Sequence, residues 1–293
     1  MKKLLVTGAG GHLGRLVVEN LLEAKAGPIL ATTRDPGKLT DLAARGVEVR
    51  RADFDDPSSL ARAFKGAERL LLISTDAVDG TDRRVKQHRN AVAAAEKAGV
   101  KHIVYTSAPS PAPTERPSVE GDHFWTEAAI FASKLDWTIL RNNLYAETIL
   151  MGLPHAVQSG ELISATHGGG RTYIAREDAA RVASAALVSA KGRQVLDVTG
   201  PHPVTQAELV AIASELSGRP VAHVDVSAAS LREGLAHAGL PPAVVDLLVA
   251  FDVSASEGKH AVRTDVVDTL TGRAPISVRE FLVSNRAALQ MAA

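Results

Sequence analysis

Cysteine does not occur in this 293-residue chain. Its absence excludes disulfides, thiolate nucleophiles and zinc–thiolate sites together, and a chain of this size that needs no staples suits a reducing, cytoplasmic compartment. Excess charge of either sign is also missing, since Lys plus Arg and Asp plus Glu number 33 each. No global field is present to hold nucleic acid or an anionic membrane, which leaves small molecules as the expected partners. Long apolar runs are lacking as well. The opening Met1-Lys2-Lys3-Leu4-Leu5-Val6 breaks at Thr7-Gly8 before a signal-peptide core can form. Elsewhere the longest aliphatic runs, such as Leu70 to Ile73, are strand-sized against the ~20 residues a membrane helix needs. No repeat, low-complexity tract or His/Asp/Glu set with metal-ligand spacing occurs, so no metal is expected. A homodimer is compatible with all of this.

Present instead are short aliphatic runs alternating with segments of helical period. They begin at Leu4–Thr7, Ile29–Thr33, Val47–Arg51, Leu70–Ser74, His102–Thr106 and Thr138–Arg141. This rhythm predicts an α/β fold, a doubly wound parallel sheet of Rossmann type, with residues 1–145 forming the dinucleotide-binding domain. Asp35-Pro36 and Asp56-Pro57 each place an N-cap before a proline at the first helical position. Beyond Tyr145 helical segments dominate, at 177–189, 206–216, 231–238, 244–253 and 279–289. Residues 146–293 are therefore expected to form a smaller, mainly helical substrate lobe. Thr205…Glu208, Ser230…Glu233 and Ser277…Glu280 have capping-box spelling. Strands at 194–199 and 221–226 either extend the main sheet or form an accessory one, and the prolines of Ser107–Pro117 mark a surface loop.

The sharpest motif is Val6-Thr7-Gly8-Ala9-Gly10-Gly11-His12-Leu13-Gly14, a strand entering a glycine-rich turn and then a helix over Leu16–Leu22. Gly8 permits the tight turn, Gly11 lets backbone approach a pyrophosphate, and Gly14 lets helix pack on strand. Phosphates would then sit at the helix N-terminus. At the end of the second strand, where an NAD-selective protein usually places an acid, the chain reads Thr32-Thr33-Arg34. Arg34 can pair with a 2′-phosphate and Lys38 can add charge, while Asp35 is better explained as a helix cap. NADPH is expected as cofactor, with NADH the weaker alternative. The other reading of Arg34 is a solvent-facing arginine. Asp53-Phe54 after the third strand can hold adenine or be a loop acid beside a buried ring. Ile73-Ser74-Thr75 and Thr106-Ser107 lie at strand carboxyl ends, where ligands of open α/β sheets bind.

These residues resemble the atypical short-chain dehydrogenases of the NmrA-like group, above all the branch of type 2 NAD(P)H:quinone oxidoreductases and triphenylmethane-dye reductases. Besides the glycine loop and Arg34, the likeness rests on Leu70-Leu71-Leu72-Ile73-Ser74, Gln87-His88-Arg89-Asn90, the stretch from Ala98 to Ser107, and Leu140-Arg141-Asn142. It implies NADPH bound across the strand ends, a substrate cleft between the lobes, and reduction of quinones or cationic dyes. His12 stands where that branch is expected to have glutamine and Gly10 where it has threonine. The loop from Ala108 to Ser118 matches neither relative closely.

A Tyr-x-x-x-Lys pair, the usual proton source for carbonyl reduction, is absent: four residues beyond Tyr105, Tyr145 and Tyr173 stand Pro109, Ile149 and Glu177. Acceptors that tolerate this are quinones, whose reduced anion is aromatic, and triarylmethyl cations. Asn142 and Tyr145 are the candidate catalytic residues, and Phe124, Asn143 and Pro109 the candidate substrate contacts. Leu140 is placed beside the cofactor. Bland readings stand next to these: core packing for Phe124 and Trp125, a closing turn for the asparagines, a surface or capping position for His123, and a solvated face for Arg83-Arg84-Val85-Lys86 with His88 and Arg89. The competing function is a non-catalytic sensor binding NADP(H).

Overall fold

The computed structural model describes residues 2–115 and 118–290; Met1 and Pro117, included in the leader and loop readings above, lie outside them. Two compact units divide the chain, Met1–Arg141 with Ala179–Leu196, and Asn142–Asp178 with Asp197–Ala293.

Seven strands form the main sheet: β1 (Leu4–Val6), β2 (Ile29–Thr33), β3 (Glu48–Arg51), β4 (Arg69–Leu72), β5 (His102–Ser107), β6 (Asp136–Asn142) and, after the excursion through β7 (Glu161–Ser164), β8 (Arg193–Val198). Their order is β3-β2-β1-β4-β5-β6-β8, and the pairings from β3 through β6 are parallel. This is the Rossmann order, reversing direction at β1, so the crevice beyond the carboxyl ends of β1 and β4 is where a ligand of such a sheet belongs. Every residue of β1, β4 and β5 is buried, as strands covered on both faces require, and their centres are aliphatic.

Helices α1 (His12–Glu23), α2 (Thr40–Ala44), α3 (Pro57–Ala63), α4 (Arg83–Ala98) and α5 (Val119–Phe131) connect these strands. Leu5, Leu30, Leu60, Phe64, Leu70, Val92, Ile103 and Ile139 belong to one core cluster of this unit. Asp56 caps α3 by accepting from the Ser58 and Ser59 amides, whereas Asp35 caps only a 3₁₀ turn over Pro36–Leu39. Further on come α6 (Leu153–Ser159), α7 (Arg176–Ser189), α8 (Gln206–Ser217), β9 (Ala222–Asp225), α9 (Ala228–His237), α10 (Pro242–Ser256), α11 (Val266–Thr271), α12 (Val278–Ser284) and α13 (Arg286–Gln290). Arg69, at the start of β4, is buried and donates to the carbonyls of Ala186, Leu187 and Ala190 at the end of α7. Carbonyls left free by a helix terminus are the natural partners of a buried cation.

Three local expectations need correction. Ser230 does not cap α9; Ser227 does, accepting from the Ser230 amide, because the earlier serine reaches the free donors first. The helix expected over 279–289 is two, broken at Asn285, whose side chain donates to the Phe281 carbonyl and competes with the helical ladder. Strand β7 was not anticipated, and it pairs in parallel with β9 as a separate two-stranded sheet. The Thr205/Glu208 and Ser277/Glu280 capping boxes both form. No helix among the described residues is long and apolar enough to cross a membrane.

Candidate functional site

Helix α1 begins at His12, so His12, Leu13 and Gly14 make its first turn and Gly11 is its N-cap. No side chain caps it and no acidic residue lies in that turn, which leaves the positive end of the helix uncompensated. Gly8 turns with φ +61°, and Gly8, Gly10 and Gly11 are exposed. A Cβ at Gly14 would come within 2.4 Å of the Gly8 carbonyl oxygen, and one at Gly10 within 2.9 Å of Thr33 Oγ1. The loop is therefore a bare-backbone cradle, the form a diphosphate requires.

At the end of β2, Arg34 and Lys38 are exposed, and the side chain of neither makes a hydrogen bond or ion pair among the described residues. Asp35 does not compete for a ribose, since its carboxylate accepts from the Gly37 amide at 3.0 Å and its own amide donates to Thr33 Oγ1. After β3, Asp53 spends one oxygen on the Asp55 amide, and the Phe54 carbonyl accepts from Asn90 Nδ2 at 3.1 Å. Thr7 Oγ1 accepts from the Ile73 amide, and Thr106 Oγ1 accepts from the Ser74 amide, each at 2.9 Å. Side chains at the carboxyl ends of β1 and β5 thus hold the segment leaving β4. Ser107 is the last residue of β5; its hydroxyl donates to buried Glu127, which also takes a bidentate pair from Arg141.

Beneath these ends lies a buried polar lattice that sequence reasoning missed. The cluster around Arg83–Arg89 is not uniformly a solvated face: Arg84 is 5% exposed, Gln87 6% and His88 0%. Nor is His123 a surface or capping residue, being 3% exposed inside α5. Thr126 donates to the Asp122 carbonyl and so accepts from His88 Nδ1, which leaves His88 Nε2 to accept from the Thr75 amide. By the same logic Arg84 donates to His123 Nε2, and His123 Nδ1 donates to the Tyr105 hydroxyl at 2.7 Å. Burial, with the Arg84 charge adding to it, holds His88 neutral, down to about 3, and pushes His123 the same way. The Tyr105 phenol is pushed up by burial. The retrievable signal is the Gln87-His88-Arg89-Asn90 stretch, one of those that carry the family resemblance.

Beyond β6, Asn142 is buried and donates to the Tyr145 hydroxyl at 3.0 Å, while its Oδ1 has no hydrogen-bond partner among the described residues. The Arg176 guanidinium lies 5.3 Å from the Tyr145 ring centre. Burial pushes the Tyr145 phenol above its ordinary value, against the opposing pull of the Asn142 hydrogen bond. Asn143 is fully engaged, donating to Thr172 Oγ1 and the His260 carbonyl and accepting from the Leu144 amide. Its amide braces the turn. Leu140 has no exposed surface, and Pro109 is partly exposed. Phe124 meets Trp125 edge-on at 5.1 Å, and Trp125 is 44% exposed.

Comparison with known proteins adds the following. Residues 8–190 match an NAD(P)H-binding family. The chain is 37% identical to quinone oxidoreductase 2 of Escherichia coli over 258 residues, 87% of this chain and 88% of that protein. The crystal structure of the NADPH-dependent quinone oxidoreductase of Escherichia coli in complex with NADPH matches with a TM-score of 0.89 at 34% identity, covering 96% of this chain and 99% of that one. Triphenylmethane reductase of Citrobacter matches with a TM-score of 0.88 at 33% identity, covering 99% of this chain and 100% of that one.

Proposed function

Because this chain belongs to the NAD(P)H-binding family, we propose that it is an NADPH-dependent oxidoreductase delivering hydride to a flat, electron-poor acceptor, foremost a quinone. One observation carries the reading: a bare-backbone phosphate cradle at an uncompensated helix N-terminus is accompanied, at the end of β2, by an exposed arginine without an ion pair among the described residues. Arg34 is assigned to the 2′-phosphate, with Lys38 adding charge. Asp53 and Phe54 are assigned to the adenine, and Ile73, Ser74, Thr75, Thr106 and Ser107 to the remainder of the dinucleotide. Leu140 stays in this assignment through its backbone alone.

The reduced nicotinamide, when bound, supplies the hydride. Asn142 keeps a buried acceptor atom free, suited to an amide donor such as a carboxamide, while its own amide fixes Tyr145. That hydrogen bond engages a lone pair of the phenol and leaves the phenolic proton available to an acceptor oxygen. Since burial raises the Tyr145 pKa, the group acts as a donor and not as a base. Phe124 and Pro109 are the substrate contacts of this reading; Asn143 acts through the turn it braces. The same reading makes the protein cytoplasmic, with small molecules as its partners.

The test is oxidation of NADPH, followed by its absorbance, on addition of a benzoquinone, with NADH run in parallel. Arg34→Ala should weaken NADPH about 30-fold, roughly the 2 kcal/mol of one charge-assisted hydrogen-bonded contact, and leave NADH within twofold. Equal losses for the two nucleotides would sink the assignment. Binding of NADPH without turnover of any quinone or triarylmethane dye would favour a redox sensor.

A further inference from the structure

The first half of α4 presents a buried face that, Val85 apart, is polar where its second half is apolar. Arg84, Gln87 and His88 stand at i, i+3 and i+4 on that face, followed by Ala91, Val92, Ala94 and Ala95. Buried polar groups are costly unless bonded, so their partners reveal what the face does. All three converge on one residue after β4. Arg84 Nε donates to the Thr75 carbonyl at 2.8 Å, His88 Nε2 accepts from the Thr75 amide at 3.0 Å, and Gln87 Oε1 accepts from the Thr75 hydroxyl at 2.7 Å.

Gln87 alone of the three also reaches the segment after β3. Its Nε2 donates to both Asp55 oxygens, at 3.1 and 3.0 Å. The amide orientation follows from the chemistry, because a carboxylate only accepts and the atom facing it must be the nitrogen. Asp55 is held besides by Arg83, one turn earlier on α4, and neighbouring Phe54 by Asn90. One side chain therefore spans the two segments to which the proposed reading assigns the adenine and part of the remainder of the dinucleotide.

We propose that Gln87 is a positioning residue that couples the adenine-end segment, Asp53–Asp55, to the Ile73–Thr75 segment, so that an intact dinucleotide meets both in register. The inference rests on the cofactor reading above. Gln87 touches no ligand on this account. Its effect is preorganisation, felt only by a ligand long enough to engage both segments.

The experiment compares affinities for NADPH and for 2′,5′-ADP, which carries only the adenosine end, by calorimetry on the full chain. Gln87→Met, nearly isosteric but without the hydrogen bonds, should raise the Kd for NADPH about tenfold while leaving that for 2′,5′-ADP within twofold. Asp55→Ala severs the other half of the bridge. In a double-mutant cycle the ratio of the two Kd values in the double variant should be no worse than in the more affected single variant. A Gln87→Met protein that keeps the wild-type ratio, or that loses both ligands equally with a lowered Tm, overturns the coupling, as do effects that multiply in the double variant. Should Gln87→Met not fold, Gln87→Asn, too short to span both segments, must show the same ratio change. Folded wild-type protein that binds neither NADPH nor 2′,5′-ADP overturns the cofactor reading and this inference with it.

Discussion

Replacing Gly14 by alanine sets two effects of opposite sign against each other. Helix propensity alone makes the change stabilising by about 1 kcal/mol, since Gly14 lies inside α1. Against this, the new Cβ would stand 2.4 Å from the Gly8 oxygen, 2.8 Å from the Gly8 carbonyl carbon and 2.9 Å from Ala9 Cα. All three obstacles are backbone, so relief requires the helix and β1 to separate, and overpacking of this kind costs about 3 kcal/mol, the upper end of its usual span. The net expectation is a loss of roughly 2 kcal/mol, a fall in Tm of about 3 °C for a chain of this length. Gly11→Ala is the control. Its Cβ would meet only the Gly8 oxygen at 3.3 Å, at a φ of −91° that any residue adopts. Thermal unfolding should therefore change little, by about 1 kcal/mol or less for alanine at an N-cap. NADPH should nevertheless bind about 30-fold more weakly if the methyl displaces one charge-assisted phosphate contact. Thermal melts with and without NADPH read both effects. A Gly14→Ala protein that melts higher than wild type, or a Gly11→Ala protein that binds NADPH normally, would refute the packing and phosphate arguments respectively.

Tyr145→Phe should lower kcat with a quinone about 100-fold, at the modest end of general-acid contributions, while leaving the NADPH Kd within about threefold. The raised phenol pKa keeps the donor protonated, so the wild-type rate should show no alkaline loss below about pH 9; such a loss, absent from Tyr145→Phe, would show that the phenol pKa is not raised. His88 is held at about 3 against an ordinary 6.5, so only the unfolded chain takes up its proton as pH falls through that interval, and stability should drop there. Near pH 5 the slope of unfolding free energy against pH should be shallower in His88→Gln by about 1.3 kcal/mol per pH unit, and equal slopes would show that His88 is not buried and neutral.

What could be read from the sequence was what is local. The strands followed from aliphatic runs, the glycine loop from its spacing, and the Thr205 and Ser277 capping boxes from a four-residue spelling. Ser230 failed because a competing serine stood three residues earlier. The lattice under the strand ends was illegible for a different reason. Arg84, Gln87, His88 and His123 are of types that usually face water, and what buries them is a set of partners from other elements: the Thr75 backbone and hydroxyl, Asp55, Tyr105 and Thr126. Asn143 shows the converse, a plausible ligand contact whose amide the fold has already claimed.

The return of Ala179–Leu196 to the first unit bears on how the chain can be made and cut. During synthesis, the nucleotide-binding half cannot close until roughly two thirds of the polypeptide has left the ribosome. A fragment stopped near residue 145 would emerge with the β6 border bare and with the Arg69 guanidinium deprived of the carbonyls that solvate it, making it a poor candidate for expression as an independent module.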